Sequence, residues 1–125
     1  MQSQLHDKVV LVLEDQILIA MEVEHSLIQL GAKSVVIASS ADEALEVIGD
    51  AAPDVAVLDI NLGPSSTSFP VAEALRTRGT PWVFATGYGS EIKIPSQLKS
   101  AAVIRKPYTT DMLAKALQHT LAGVS

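Results

Sequence analysis

The sequence contains no cysteine, few aromatic residues and no long apolar run. Without cysteine among its 125 residues, the chain has no disulfide framework, no thiolate metal site and no cysteine nucleophile, which is compatible with a reducing cytoplasm. No apolar stretch approaches the roughly 20 residues of a membrane-spanning helix, and the first eight residues include charged side chains without a signal-like apolar region. We therefore expect a soluble, cytoplasmic protein with no membrane contact.

An excess of positive charge is also missing. Nine Lys and Arg against fourteen Asp and Glu give a formal net charge of −5, and the basic residues are scattered along the chain. This balance argues against direct nucleic-acid binding, which draws most of its non-specific affinity from a broad basic surface. Because aromatic residues make up 4% of a chain that is 48% hydrophobic, we expect an aliphatic core of the kind found in a sheet between helices.

Short apolar segments alternate with amphipathic ones along the whole chain. The segment VVLVL at 9–13 is apolar at every position, which is typical of a strand in a parallel sheet covered on both faces. Four similar segments follow, so the alternation predicts one α/β domain over residues 1–125, with five parallel strands and right-handed crossovers. The fourth helix, between strands four and five, is predicted to be short or mobile because Pro95 interrupts it.

Capping residues mark the helix ends. The spacing from Ser40 to Glu43 is that of a capping box, and Gly31 suits the position after the first helix. The last helix is predicted to start at Thr109 or Thr110 and to carry four residues inward, namely Met112, Leu113, Ala116 and Leu117.

Polar side chains follow four of the predicted strands. Glu14 and Asp15 follow the first, Asp59 ends the third, Thr86 ends the fourth and Lys106 follows the fifth. Because parallel strands present their carboxyl ends at one sheet edge, we expect these groups to converge. Clustered carboxylates favour Mg²⁺, and a carboxylate nucleophile with a nearby ammonium and hydroxyl is suited to phosphoryl transfer.

These motifs, in this order, resemble the receiver domain of bacterial two-component response regulators. The matching segments are LED at 13–15, VAVLDINLG at 55–63, FATG at 84–87 and RKPY at 105–108, and the resemblance covers essentially the whole chain. It implies a flavodoxin-like, doubly wound fold with strand order 2-1-3-4-5 and helices on both faces. The FATG segment further resembles an atypical receiver subgroup whose fourth-helix region is unusually flexible.

The resemblance also implies a role for each site residue. Asp59 becomes the phosphoacceptor, and Asp15 becomes a direct ligand of Mg²⁺, the implied cofactor. Glu14 would contact the metal directly or through a bound water, and Asn61 would bind it through its backbone carbonyl. Thr86 and Lys106 would form the phosphoryl-sensing pair. The Lys106–Pro107 bond is at the position where the family typically has a cis peptide bond.

We expect a single-domain response regulator that acts in trans, because the chain ends soon after its last helix and leaves no room for an output domain. Its implied partners are a histidine kinase and a histidine phosphotransfer or downstream effector protein, reached as a monomer or weak dimer. It could transmit a signal, shuttle phosphate or drain phosphate from the kinase. We do not expect an enzyme with multiple turnovers on small substrates.

Two alternatives come from departures in the sequence. Val103 occupies the position where receivers often have a switching aromatic residue, which favours a phosphorylation-independent docking module; Tyr88 could substitute as the mobile aromatic. A magnesium-dependent phosphatase with an aspartyl nucleophile is the other alternative. Such enzymes usually have a general-acid aspartate two residues after the nucleophile, and Asn61 at that position cannot protonate a leaving group.

Overall fold

The computed structural model describes residues 5–63, 66–87 and 93–122, and it confirms the predicted alternation of strands and helices. The elements are β1 (Val9–Leu13), α1 (Ile17–Gln29), β2 (Ser34–Ala38), α2 (Ala41–Ala51), β3 (Val55–Asp59), α3 (Phe69–Arg78), β4 (Trp82–Thr86), β5 (Ala102–Arg105) and α4 (Thr110–Leu121). Residues 88–92, part of the connection predicted to be a short or mobile helix, lie outside the described residues. The described part of that connection contains a 3₁₀ turn at Ser96–Leu98.

All strand pairs are parallel, and the sheet order is β2-β1-β3-β4-β5, as predicted. Every residue of β3 and β4 is buried, because helices cover both faces of the sheet. One buried cluster packs Leu11, Leu58 and Phe84 against α2 and α3, and the other packs Val12 and Val57 against α1 and α4. The sheet therefore has the double covering that the continuous apolar strands indicated.

The predicted caps form. The hydroxyl of Ser40 accepts a hydrogen bond from the backbone N–H of Glu43 at 3.1 Å, and the Glu43 carboxylate accepts one from the N–H of Ser39 at 2.6 Å. Thr109 caps α4 by accepting from the N–H of Met112 at 3.1 Å. Gly31 ends α1 with a φ of 101°, a conformation that residues with a Cβ rarely adopt.

The predicted inward position of Met112 is wrong. Its side chain is 41% exposed, while Leu113 and Leu117 fill the core beneath α4. Ile17 and Met21, two apolar residues of α1, are likewise 63% and 53% exposed. In both helices the apolar residues occupy a wider arc than the sheet can cover, so part of that arc faces solvent. No helix of the described residues has the length and apolar composition needed to cross a bilayer.

Candidate functional site

Three carboxylates meet at the carboxyl ends of β1 and β3. Leu13 pairs with Leu58, so Glu14 and Asp59 follow on adjacent strands, and Asp15 comes next in the chain. One carboxylate oxygen from each of the three lies within 4.8 Å of the others. Glu14 is 4% and Asp59 5% exposed, whereas Asp15 is exposed, so the cluster runs from the sheet edge to the surface.

Lys106 joins this cluster from the far side of β4. Its ammonium donates to Glu14 Oε1 at 2.6 Å and to Asp59 Oδ2 at 3.0 Å. Two strand spacings of about 4.8 Å separate β5 from β3, a span that the long lysine side chain can largely cross. The backbone N–H of Lys106 also donates to the carbonyl of Thr86 at 2.8 Å, and the Lys106–Pro107 bond is cis.

Glu14 is held at both oxygens. While Oε1 accepts from Lys106, Oε2 accepts from the backbone N–H of Gln16 at 3.1 Å, and the Glu14 N–H donates to the carbonyl of Ala38 at 3.0 Å. The carboxylate of Glu14 is thus fixed between β1 and the start of α1. Asp59 accepts from the same ammonium through Oδ2 at 3.0 Å, so Lys106 links the ends of β1 and β3.

Burial raises the pKa of Glu14 and of Asp59 above their ordinary values, although hydrogen bonds from Lys106 oppose the effect. Burial alone would lower the pKa of Lys106, but its hydrogen bonds to the two carboxylates and their negative charges raise it. The ammonium therefore stays protonated at neutral pH. The cluster combines three acids with one cation, an excess of negative charge that a further cation would relieve.

Thr86 and Asn61 flank the acids. Asp59 pairs with Ala85, so Thr86 lies one residue beyond that pair, at the end of β4, and is 9% exposed. Asn61 follows β3 and forms an isolated antiparallel bridge with Thr67. All the predicted site residues therefore lie at or just beyond the carboxyl ends of β1, β3, β4 and β5. Their roles stay predictions from the sequence. Tyr88 lies outside the described residues.

The donor set fits a hard divalent cation. Mg²⁺ prefers oxygen ligands and is typically held by one or two carboxylates with several waters, and three carboxylate oxygens within 4.8 Å supply such ligands. The carbonyl of Asn61 is the fourth ligand that the sequence predicts. Lys106 already neutralises part of the charge on Glu14 and Asp59, so a bound cation would share these carboxylates with the ammonium.

A residue beside the site was not singled out from the sequence. Tyr108 packs in the buried cluster between the sheet, α1 and α4, and burial, followed by the charges of Glu14 and Asp59, raises its pKa to about 12. It also lines a cavity of about 620 Å³ between α1 and α4 that extends from Ser26 to Lys106. The only sequence signal for Tyr108 is its place directly after Lys106 and Pro107. That place does not indicate whether its hydroxyl is buried or how close it lies to the acids.

Comparison with known proteins agrees with this geometry. The profile of the response regulator receiver domain family matches residues 10–118, so the chain belongs to this family. A search of curated proteins found no match. Among solved structures, the solution structure of SdrG from Sphingomonas melonis Fr1 is 41% identical over 92% of this chain and 97% of SdrG, with a TM-score of 0.79.

Two further structures have the same fold at lower identity. The N-terminal domain of a response regulator/sensory box/GGDEF protein from Carboxydothermus hydrogenoformans is 26% identical over 92% of this chain and 94% of that domain, with a TM-score of 0.79. A mutant of the anti-anti-sigma factor PhyR from Bartonella quintana is also 26% identical with a TM-score of 0.79, over 96% of this chain and 50% of that chain. The receiver resemblance inferred from the motifs is confirmed.

Proposed function

We propose that Asp59 accepts a phosphoryl group from a partner histidine kinase, and that the phosphorylated chain acts through contacts with other proteins. The observation that carries this proposal is the position of Lys106, whose ammonium lies 3.0 Å from Asp59 Oδ2 within a cluster of three carboxylates. A lone acid at a strand end could be a simple cap. A buried acid with a cation and two further carboxylates has the groups needed for phosphoryl transfer.

In the proposed step, an oxygen of ionised Asp59 attacks the phosphorus of the donor. The bond between phosphorus and the donor's histidine nitrogen breaks, the imidazole leaves with the electron pair, and an acyl phosphate forms. Lys106 is close enough to offset charge on the transferred oxygens, and the hydroxyl of Thr86 is the proposed hydrogen-bond donor to one of them. Later attack by water would return the carboxylate and release inorganic phosphate.

Glu14, Asp15, Asp59 and the carbonyl of Asn61 are the residues that would hold Mg²⁺. When bound, the ion would neutralise charge on the phosphoryl oxygens. Hydrogen bonds at both oxygens fix the orientation of the Glu14 carboxylate within this ligand set.

The outward face of α1 supports a protein rather than a small molecule as the physiological donor. Ile17, Leu18 and Met21 are 63%, 74% and 53% exposed, directly after the acidic pair, and form an apolar patch beside the site. Next to it, the cavity between α1 and α4 reaches Lys106 and Gly87. A kinase helix packed on α1 would bring its phosphohistidine to Asp59.

The test is the intact mass of the chain after incubation with Mg²⁺ and acetyl phosphate. We expect one phosphate adduct in the wild type, none in Asp59→Asn and none after chelation of Mg²⁺. An exposed aspartate supplies the matched control, and Asp7→Asn should form the adduct as the wild type does. An adduct that survives in Asp59→Asn, or that forms equally without Mg²⁺, would contradict the proposal.

A docking module that works without phosphorylation is the second candidate, favoured by the exposed Val103 at the usual aromatic position. In that case a partner would bind wild type and Asp59→Asn equally, with or without a phosphodonor. A phosphodonor-dependent gain in partner binding that Asp59→Asn abolishes would exclude it. The expectation that residues 1–125 act without an output domain stays a prediction from the sequence.

A further inference from the structure

The strand β2 is one edge of the sheet, and no described residue pairs with its outer side. Edge strands usually avoid pairing with another chain through short length, proline, charged side chains or a bulge. The sequence of β2, SVVIA, has five residues without proline or charge, and its register with β1 is continuous. About every second residue of β2 therefore presents its backbone N–H and C=O where a further strand can pair with them.

The wall beside this edge on the α1 face is apolar. Val35 and Ile37 point to that face and pack, half-buried, in the cluster beneath α1. The residues directly before the buried positions of α1 line the cavity toward α4, namely Ile19, Glu22 and Ser26. The residues directly after those positions lie on the opposite flank, which overhangs β2 because α1 packs on β1 and β2. Two of them, Met21 and Ile28, are 53% and 50% exposed.

The wall on the α2 face is acidic. Val36 pairs with Leu11, a member of the cluster beneath α2 and α3, so its side chain points to that face. Because α2 runs in the same direction as α1 on the opposite face, the sense of rotation reverses, and the residues directly before its buried positions overhang β2. With their neighbours one turn along, these residues form a row of three exposed acids and one half-buried valine, namely Glu43, Glu46, Val47 and Asp50.

The negative charge of this row is not balanced nearby. The helix α2 has no Lys or Arg, and no ion pair among the described residues involves the three acids. Of the nine Lys and Arg of the chain, only Lys8 and Lys33 precede residue 64, and residues 1–4 have no charged side chain. The edge of β2 thus lies between an apolar wall and an anionic one. We call Met21, Ile28, the outer side of β2 and the acidic row the β2 groove.

We propose that the β2 groove binds an extended basic segment of a partner protein as an additional strand, in which aliphatic residues alternate with Lys or Arg. Successive side chains of a strand point to opposite faces, so the aliphatic ones would pack beside Ile28 and the cations would lie beside Glu46 and Asp50. Charge complementarity with the acidic row selects such a segment.

This inference does not depend on phosphorylation of Asp59, so its failure would leave the proposed function standing. Met21 also borders the apolar patch proposed for the kinase, and the tests below therefore use Ile28, which lies two turns further along α1.

Other occupants fit less well. Antiparallel pairing of two β2 strands around a twofold axis would keep the faces of the joined sheet the same, and the two acidic α2 helices would then lie side by side and repel each other. The phosphates of a nucleic acid would likewise meet the acidic row, so its backbone is repelled.

The test is a titration of the ¹⁵N-labelled full chain with a short peptide that alternates lysine and valine, followed by NMR and fluorescence anisotropy. We expect chemical-shift changes centred on β2 and slower hydrogen exchange of the β2 amides that do not bond β1. The double variant E46K/D50K should bind about tenfold more weakly. The control E22K/D111K has the same net charge, changes exposed acids elsewhere and should alter the affinity less than about twofold.

A second pair of variants tests the apolar wall. With serine in place of the peptide's valines, binding to the wild type should weaken several-fold, and Ile28→Ser should remove that preference. Met112→Ser changes a similarly exposed side chain on α4 and should keep it.

Four results would overturn the proposal. They are unchanged exchange of the β2 amides, equal loss of affinity in E22K/D111K, no preference for valine, and binding that occurs only after deletion of residues 1–4. Slower exchange of the β2 amides at high concentration of the chain alone would overturn it in favour of a second copy.

Discussion

Lys106 and Arg105 are neighbours in the chain and have opposite environments. Lys106 turns into the sheet edge and bonds two carboxylates that are 4% and 5% exposed, whereas Arg105 points outward beside the half-exposed Val103. The same strand end thus serves two surfaces, a buried ionic site on one side and an open basic face on the other.

The largest expected effect comes from removing the buried cation. Lys106→Met leaves Glu14 and Asp59 without their shared partner, and we expect it to lower the free energy of unfolding at neutral pH by about 2 kcal/mol. Arg105→Met is the matched control and should change it by less than about 0.5 kcal/mol. Urea denaturation of both variants makes the measurement, and equal effects would contradict the contrast between the two residues.

Magnesium should stabilise the folded chain by binding the cluster of Glu14, Asp15 and Asp59. If the ion binds the native chain only, a concentration ten times the Kd adds about 1.4 kcal/mol to the free energy of unfolding, and the Tm rises. Asp15→Ala, which removes one of the three clustered carboxylates, should abolish most of this rise.

Asp111→Ala removes an exposed aspartate in the first turn of α4 and should keep the full response to magnesium. An equal rise in Tm in Asp15→Ala and wild type would show that the ion binds elsewhere.

The dependence of stability on alkaline pH should reveal the burial of the Tyr108 hydroxyl. Its folded pKa is about 12 against an ordinary value of 10.0, so the unfolded chain loses the proton first and the native state loses stability as pH rises from 10 to 12. At pH 11 this contribution is on the order of 1 kcal/mol. Stability of Tyr108→Phe should fall less steeply over this range. Parallel curves for the variant and the wild type would contradict the burial of this hydroxyl.

The smallest effect is expected at the open face. Val103→Ala removes a side chain that is 45% exposed, so the free energy of unfolding should change by less than about 0.5 kcal/mol. Val83→Ala on the neighbouring strand removes a fully buried valine and should cost more than 1 kcal/mol. Thermal or urea unfolding compares the two, and a large loss in Val103→Ala would show that the face is covered.

The fold was predictable because a parallel sheet leaves little freedom. Strands apolar at every position require helices on both faces, and strand ends must then share one edge, so the convergence of Glu14, Asp59 and Lys106 followed from their places in the sequence. The caps at Ser40 and Thr109 were predictable because they involve residues three positions apart. Both predictions rest on local chemistry or on topology.

What the sequence did not predict depends on side-chain direction. Periodicity indicates that α4 is a helix but does not fix how much of its apolar arc the sheet covers, and so Met112 was misplaced. Lys106 contacts both Glu14 and Asp59 because its side chain extends across the end of β4. The spacing of these residues along the chain does not give the direction of that side chain. The exposure of Val103 depends on what packs over the edge strand, a property of the assembled sheet.

The most direct test is to identify which of the three clustered carboxylates carries the phosphoryl group. Borohydride reduces an aspartyl phosphate to homoserine, so the chain would be treated with acetyl phosphate and Mg²⁺, reduced, digested and sequenced by mass spectrometry. The account predicts homoserine at position 59 and unchanged residues at positions 14 and 15. Modification of Glu14 or Asp15 with Asp59 intact would contradict it.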